Sequence, residues 1–367
     1  MCQYSVKKKV CIVVSSLSHG GAQRSSASLT FVFEKLGYDV FVATVLPGVA
    51  YDFTGKLFEI HAIKSAIHPS LNRINKLFKF RRFLNQEKFD LIIDNRARVR
   101  VLRELVVVKY LYPKTAIYMI RNFNFEKVFT PYKSFNRWLY KNRRLVSVSE
   151  SAAKKAKFEL KLRHVEGIPN AIPNLRDYPF LSNQLPELPE KYILCCGRIE
   201  DASKNLRLLL SAFKMSELQN DNISLVILGS GPDETMIKQY AEALGVDNSI
   251  IWLPFMSNPF TVMANALFVT LTSRYEGFPR VLIESLSVGT PVVSIDCESG
   301  PSEVVLNEKN GLLVKNNDPS VFGDAMKRLI FDQELYHQCQ LNAKKSVEHL
   351  SIDNIALRWK TYLNFES

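Results

Sequence analysis

Short apolar runs separated by longer stretches of mixed polarity organise the chain. Lys9 to Ser16, Asp39 to Val45, Phe89 to Asp94, Thr115 to Arg121 and Leu145 to Ser149 have strand length. They are nearly unbroken by polar residues, as strands buried on both faces of a parallel sheet are. Helical stretches lie between them, and that alternation predicts an α/β domain with a doubly wound sheet. The pattern pauses over Asn174 to Glu190, which carries Pro179, Pro186 and Pro189, and restarts at Tyr192 to Cys196. Leu225 to Gly229, Ile251 to Phe255, Ala266 to Leu271 and Val292-Val293 continue it. At 367 residues the chain is long enough for two domains, each with its own core. The predicted division is residues 1–173, a linker over 174–190, a second domain over 191–350 and a terminal helical stretch over 351–367.

The helical stretch Leu71 to Leu84 places Leu71, Ile74, Leu77 and Phe78 on one stripe, with Arg73, Lys76, Lys79, Arg81 and Arg82 around the rest. Asn122 to Arg144 is denser in both classes, from Phe123 and Phe125 to Trp138 and Tyr140 among six basic side chains. Such segments suit either a solvated outer helix or a membrane surface. No run of eighteen apolar residues occurs, since Leu105 to Ile120 is interrupted by Lys109 and Lys114, so no spanning helix is predicted. Lys7 to Lys9 precede too short an apolar run for a signal peptide, and lead into a glycine turn.

Charge separates the two halves. The formal total is +12, yet residues 1–180 hold 32 basic against 13 acidic side chains, and residues 181–367 hold 16 against 23. A basic front half predicts a face that meets anionic lipid head groups or a phosphorylated acceptor. No zinc-finger or RNP spacing supports nucleic acid as the partner. The six cysteines show no C-x-x-C spacing, which favours a reduced, cytoplasmic protein without a zinc cluster.

Candidate chemistry concentrates in Ser273 to Ser285. An apolar strand empties into a polar turn, and Pro279 stands where a first helical residue would, its φ preset and no N–H lost. The backbone N–H groups of Arg280, Val281 and Leu282 would then open the helix as an anion site. Glu276 precedes the helix and Glu284 lies about two turns deeper at roughly 1.5 Å per residue. Two carboxylates flanking one anion site suit a ligand with phosphates in the middle and hydroxyls at both ends, such as a nucleotide sugar. Gly197-Arg198 and Lys204-Asn205 follow the strand Tyr192 to Cys196, offering a planar fork and a point charge to a diphosphate. Leu17 to Arg24 contains Gly20-Gly21 between a strand and a helix, without the G-x-G-x-x-G spacing of nicotinamide dinucleotide binding.

The run Y-E-G-F-P-R-V-L-I-E-S-L-S-V-G-T-P-V-V-S, with Glu276 and Glu284 in an E-x7-E spacing, resembles the signature of the retaining GT-B glycosyltransferases of family four, the group 1 transferases. Gly-Arg followed by Lys-Asn resembles that family's phosphate pair. Gly20-Gly21-Ala22-Gln23-Arg24 resembles its N-terminal glycine loop, which lies against the donor phosphate and the acceptor. Asp296-Cys297-Glu298-Ser299-Gly300-Pro301 points to the branch that builds bacterial capsule, exopolysaccharide and lipopolysaccharide. Val146 to Ser151 and Ile168 to Pro173 resemble the end of the family's first domain. One departure stands out: the family usually carries a histidine after the strand that here ends Tyr118-Met119-Ile120, and this chain has Arg121-Asn122.

The resemblance implies two Rossmann-like domains facing a central cleft, with the final helix crossing back to the first domain. It implies catalytic roles for Glu276, Arg198 and Lys204, with Arg121 in the place of the histidine. The donor would be held by Gly20, Gly21, Arg198, Lys204, Phe255, Glu276, the turn Gly277, Phe278, Pro279, Arg280, Val281 and Leu282, and Glu284. It further implies a nucleotide-sugar donor, UDP by preference, and transfer of a hexose or N-acetylhexosamine with retention to a lipid-linked or lipopolysaccharide-type acceptor. The protein would lie peripherally on the inner face of the cell membrane. No D-x-D occurs, so no metal or other cofactor is expected. A sugar-nucleotide epimerase or hydrolase, or an inactive nucleotide-sugar-binding scaffold, are the alternatives.

Overall fold

The apolar runs form parallel strands, each buried by helices on both faces. The computed structural model describes residues 7–63, 69–172 and 187–364, with the backbone alone at 69–71 and 73. It divides into two units: residues 1–171 with 352–367, and residues 172–351. Residues 173–186, most of the expected linker, lie outside the described residues.

The first unit is a seven-stranded parallel sheet: β1 (Lys9–Val14), β2 (Asp39–Thr44), β3 (Lys56–Glu59), β4 (Leu91–Asp94), β5 (Ile117–Ile120), β6 (Arg144–Ser147) and β7 (Val165–Gly167). Their order is β3-β2-β1-β4-β5-β6-β7. The chain leaves β1 in one direction and later returns to β4 on its other side, so the order reverses between β1 and β4. At such a point the loops splay apart and leave a crevice at the carboxyl ends of the strands. Right-handed crossovers put the helices Pro69–Glu87, Lys133–Tyr140 and Glu150–Glu159 on one face of the sheet. Phe80, Leu84, Leu139, Tyr140, Ala152 and Ala156 form one core there. On the other face the helix Gly21–Lys35 meets the helix Ile352–Asn364, with the Phe33 and Trp359 rings 5.2 Å apart.

The second unit is a six-stranded parallel sheet: β8 (Tyr192–Cys196), β9 (Ser224–Leu228), β10 (Ile250–Leu253), β11 (Val269–Leu271), β12 (Val292–Ile295) and β13 (Gly311–Val314), in the order β10-β9-β8-β11-β12-β13. Here the order reverses between β8 and β11.

The structure adds to the sequence reading in two places. β3, β7 and β13 were not expected, and all three are sheet edges: β3 is short and largely exposed, and an edge strand needs apolar residues on one side only. In the helix Pro69–Glu87 the described residues of the stripe read from its sequence are exposed, as an outer helix requires. Phe80 and Leu84 are buried, whereas Ile74 and Phe78 are 52% and 65% exposed. The stripe was real in spacing but turned outward, because the aromatic cluster of Phe58, Phe80 and Phe83 claims the other face.

Glycines set the loop that follows β8. Gly229 has φ +151°, and a Cβ there would lie 1.8 Å from the Gly197 carbonyl oxygen. Gly229→Ala is therefore expected to destabilise the second unit by about 3 kcal/mol, through strain and overpacking. Gly245→Ala, also at positive φ but with open space around it, should cost only about 1 kcal/mol. Chemical-denaturation midpoints of the two variants test the difference.

Candidate functional site

In the second unit, the loops that follow β8 and β11 meet at the switch point. The turn Thr272–Pro279 leads into the helix Arg280–Val288, closed by Gly289 in the left-handed conformation at φ +97°. Pro279 is the N-cap residue, not the first helical one, with ψ of 90°. Its carbonyl accepts the Leu282 N–H at 3.1 Å. The helix therefore starts one residue later than its sequence predicts, and Leu282 is not one of its open donors. A proline followed by ψ near 90° turns the chain before the helix can begin, which sequence alone does not reveal.

The two glutamates do not pair with each other; each holds a cation. Glu276 accepts from Lys204 Nζ at 2.6 Å and from Ser273 Oγ at 2.7 Å. Burial works to lower the Lys204 pKa, but the Glu276 carboxylate, by charge and hydrogen bond, leaves it above its ordinary value. Further on, Arg280 Nε donates to Glu284 Oε1 at 2.9 Å. Both side chains of this pair are buried, at 6% and 3% exposure.

Lys204 is placed by two loops at once. It closes a one-turn helix, Asp201–Lys204, and Asn205 follows at φ +53°. The expected helix start at Lys204-Asn205 thus resolves into the end of one helix and the cap of the next, Leu206–Ser216. Thr272 Oγ1 donates to the Lys204 carbonyl at 2.9 Å, and Arg274 N donates to the Ser203 carbonyl at 2.9 Å. Ile199 N donates to the Ser230 carbonyl, and Asp201 N to Asp233 Oδ2 at 2.8 Å. Arg198, exposed, lines the same pocket as Lys204, Gly197 and Thr272. The loop after β12 presses on the turn: Ser299 Oγ donates to the Gly277 carbonyl at 3.3 Å, and a Cβ on Gly300 would sit 2.6 Å from Pro279 Cδ. Phe278 is buried by this packing, so Gly277, Phe278 and Pro279 present backbone and not side chains. Val281 is half-buried, Leu282 fully buried, and Phe255 half-buried just beyond β10. The thiols nearby are not nucleophiles, since burial pushes both Cys195 and Cys297 up to about 12.

Arg121 and the glycine loop belong to the first unit. Gly20, at φ +127°, caps the helix Gly21–Lys35 and donates its N–H to the Tyr51 hydroxyl at 3.1 Å. Space beside Gly21 is open. His19 is exposed. At the ends of β1, β4 and β5 lies a cavity of about 210 Å³, lined by Gln23, Asn95, Arg96, Arg121 and Lys127 among others. Arg121 donates through Nε to Asn95 Oδ1 and through Nη1 to Asn170 Oδ1 at 3.1 Å. Beneath it Arg96 grips Asp94 with two hydrogen bonds of 2.8 and 2.7 Å. Glu104 takes Arg103 Nε at 2.8 Å and lies 3.5 Å from Arg96. Sequence reading missed Asp94, Asn95 and Arg96. Their signal was present: Asp94 is a polar residue ending a buried strand of a doubly wound sheet, and Asn95 and Arg96 follow it directly.

Residues 179–346 match the family described as glycosyl transferases group 1. An uncharacterised glycosyltransferase of Haemophilus influenzae is 24% identical over 374 residues, spanning 97% of this chain and all of the relative. The Campylobacter jejuni N-acetylgalactosamine-N,N'-diacetylbacillosaminyl-diphospho-undecaprenol 4-alpha-N-acetylgalactosaminyltransferase is 27% identical, covering 96% of this chain and 99% of its own length. Among solved structures, the pneumococcal O-GlcNAc transferase GtfA, in complex with UDP and GlcNAc, aligns over 97% of this chain and 99% of its own at 10% identity and a TM-score of 0.77. The chain has the GT-B fold, and its residues 179–346 are similar to the group 1 glycosyltransferases.

Proposed function

We propose that this protein moves a hexose or N-acetylhexosamine from a UDP-sugar, with retention of configuration, to a lipid-linked or lipopolysaccharide-type glycan in bacterial surface polysaccharide synthesis. The observation that carries the reading is the Lys204–Glu276 pair, set beside Arg198 at the switch point of the second sheet. UDP is the proposed nucleotide because a transferase of like fold holds it. A diphospho-undecaprenol-linked acceptor is named for a relative that spans nearly the whole chain, which supports a lipid-linked acceptor here.

In this reading Arg198, Lys204 and the helix start at Arg280 and Val281 are fixed donors aimed at the leaving diphosphate. Glu276 accepts from the sugar hydroxyls and Glu284 from the ribose diol. Phe255 lies against the base. The bond from the anomeric carbon to the phosphate oxygen breaks as the acceptor oxygen bonds on the same face. The acceptor's proton goes to the departing phosphate.

The first unit would hold the protein at an anionic membrane. On the helix-covered face that buries Phe80 and Leu139, the outer surface exposes Phe78, Tyr110, Trp138 and Phe158. Basic residues border them, with Lys109 Nζ 4.3 Å from the centre of the Trp138 ring. Aromatic and basic side chains together suit the interface between head groups and acyl chains. Among the described residues no helix is long and apolar enough to cross a membrane.

Thermal shift against UDP, GDP and ADP should give a rise with UDP alone. Lys204→Ala and Glu284→Gln should each lower kcat/KM for the donor about 100-fold or more, with circular dichroism as the folding control; unchanged donor kinetics in both variants would sink the site assignment. A second experiment addresses the surface. Flotation with anionic vesicles should carry the protein up at low salt and release it at high salt, and Phe78→Glu with Trp138→Glu should cut binding about ten-fold. Equal partition onto neutral and anionic vesicles would refute the membrane role.

A further inference from the structure

We propose that Asn205 and the side chain of Arg274 form one positioning device for Lys204, so that the ammonium meets a diphosphate correctly only while this pair is intact. The device belongs to the proposed transferase site and rests on that reading. Asn205 stands at a junction: it ends the one-turn helix Asp201–Lys204 and opens the helix Leu206–Ser216, with φ +53° and ψ +48°. An asparagine before a helix ordinarily turns its side-chain oxygen onto one of the helix's open N–H groups. Here it makes no such bond. Asp201 does that work instead, taking the Arg207 N–H on Oδ1 at 3.0 Å. The Asn205 oxygen is thereby released for Arg274, whose Nη2 donates to it at 2.5 Å.

The left-handed backbone alone does not call for asparagine, because glycine adopts it with less strain. The carboxamide is also unfavourable where it lies: Asn205 is 3% exposed, and its Nδ2 has no hydrogen-bond partner among the described residues. What the side chain contributes is the bond at its other end. Arg274 thus holds the chain on both sides of Lys204, its backbone N–H donating to the Ser203 carbonyl at 2.9 Å and its guanidinium to Asn205. Arg274 lies two residues before Glu276, which accepts from Lys204 Nζ at 2.6 Å. One turn therefore fixes the backbone that carries the cation and supplies the carboxylate that aims it.

Calorimetric titration of the full-length protein with UDP, carried to millimolar ligand, tests the device. Asn205→Gly keeps the left-handed backbone and removes the amide. Arg274→Met removes the guanidinium from an exposed position and keeps the backbone N–H. Each should weaken UDP binding about ten-fold, since small displacements of a fixed charge are felt strongly at the ligand. The double variant should stay within about two-fold of either, as expected of residues acting through one bond. In a Lys204→Gln background each substitution should change UDP affinity by less than about two-fold. A loss of folding alone would lower the thermal midpoint and affect both backgrounds alike. Unchanged UDP affinity in both single variants would overturn the proposal. So would an Arg274→Met penalty that persists beside Lys204→Gln, which would make Arg274 a direct partner of the phosphates. Wild-type protein that binds no UDP, or Lys204→Gln that binds it as tightly as wild type, would instead overturn the transferase reading and its site.

Discussion

The ion pair between Lys204 and Glu276 is the contact on which the second unit's site depends. Neither partner sits in the middle of a regular element. Lys204 ends a single helical turn and Glu276 stands in the turn before a helix, so their meeting must be enforced by the backbone. It is enforced twice, by Thr272 on the Lys204 carbonyl and by Arg274 N on the Ser203 carbonyl. The ammonium is thereby placed before any ligand arrives. A cation ordered in advance loses no side-chain entropy on binding and needs no reorganisation as negative charge develops, which is where electrostatic catalysis gains most.

The neighbouring pair, Arg280 with Glu284, is a different kind of device. Both groups are nearly sealed from solvent, where desolvation consumes much of what their attraction returns, so stability alone is a weak reason to keep them. Removing one partner would strip the other's buried charge of this ion pair. Their position explains them better. They stand four residues apart on the helix whose start faces the Lys204 loop, and each fixes the other's rotamer there. Glu284 is thereby held in one orientation.

Much of this was legible in the sequence, and what was missed has physical causes. Central strands such as β1 and β8 were plain because burial on both faces forces continuous apolar runs. The edges β3, β7 and β13 were not, since pairing on one side asks little of the residues. The spacing of Glu276, Glu284, Arg198 and Lys204 could be read, because turns and helix starts leave marks in Gly and Pro. Their pairing could not, as it depends on which loop crosses which. The helix Pro69–Glu87 shows the limit of periodicity most clearly. A stripe at Ile74, Leu77 and Phe78 satisfies helical spacing, yet the core took Phe80 and Leu84, because a helix with apolar residues on two faces does not say which one turns inward.

That outward stripe gives the charge asymmetry a second meaning. The excess of basic residues before residue 180 is not spread evenly in role. Some cations are consumed inside the fold: Arg96 and Arg103 answer Asp94 and Glu104 in a buried network that closes on itself. Others stand beside exposed aromatic rings, as Lys109 does with Nζ 4.3 Å from the centre of the Trp138 ring. A fold that needed only solubility would intersperse both signs on its surface. Here a cation stands beside the exposed Trp138 ring, with Phe78 exposed on the same unit, so part of the basic excess is set against apolar surface and not against carboxylates.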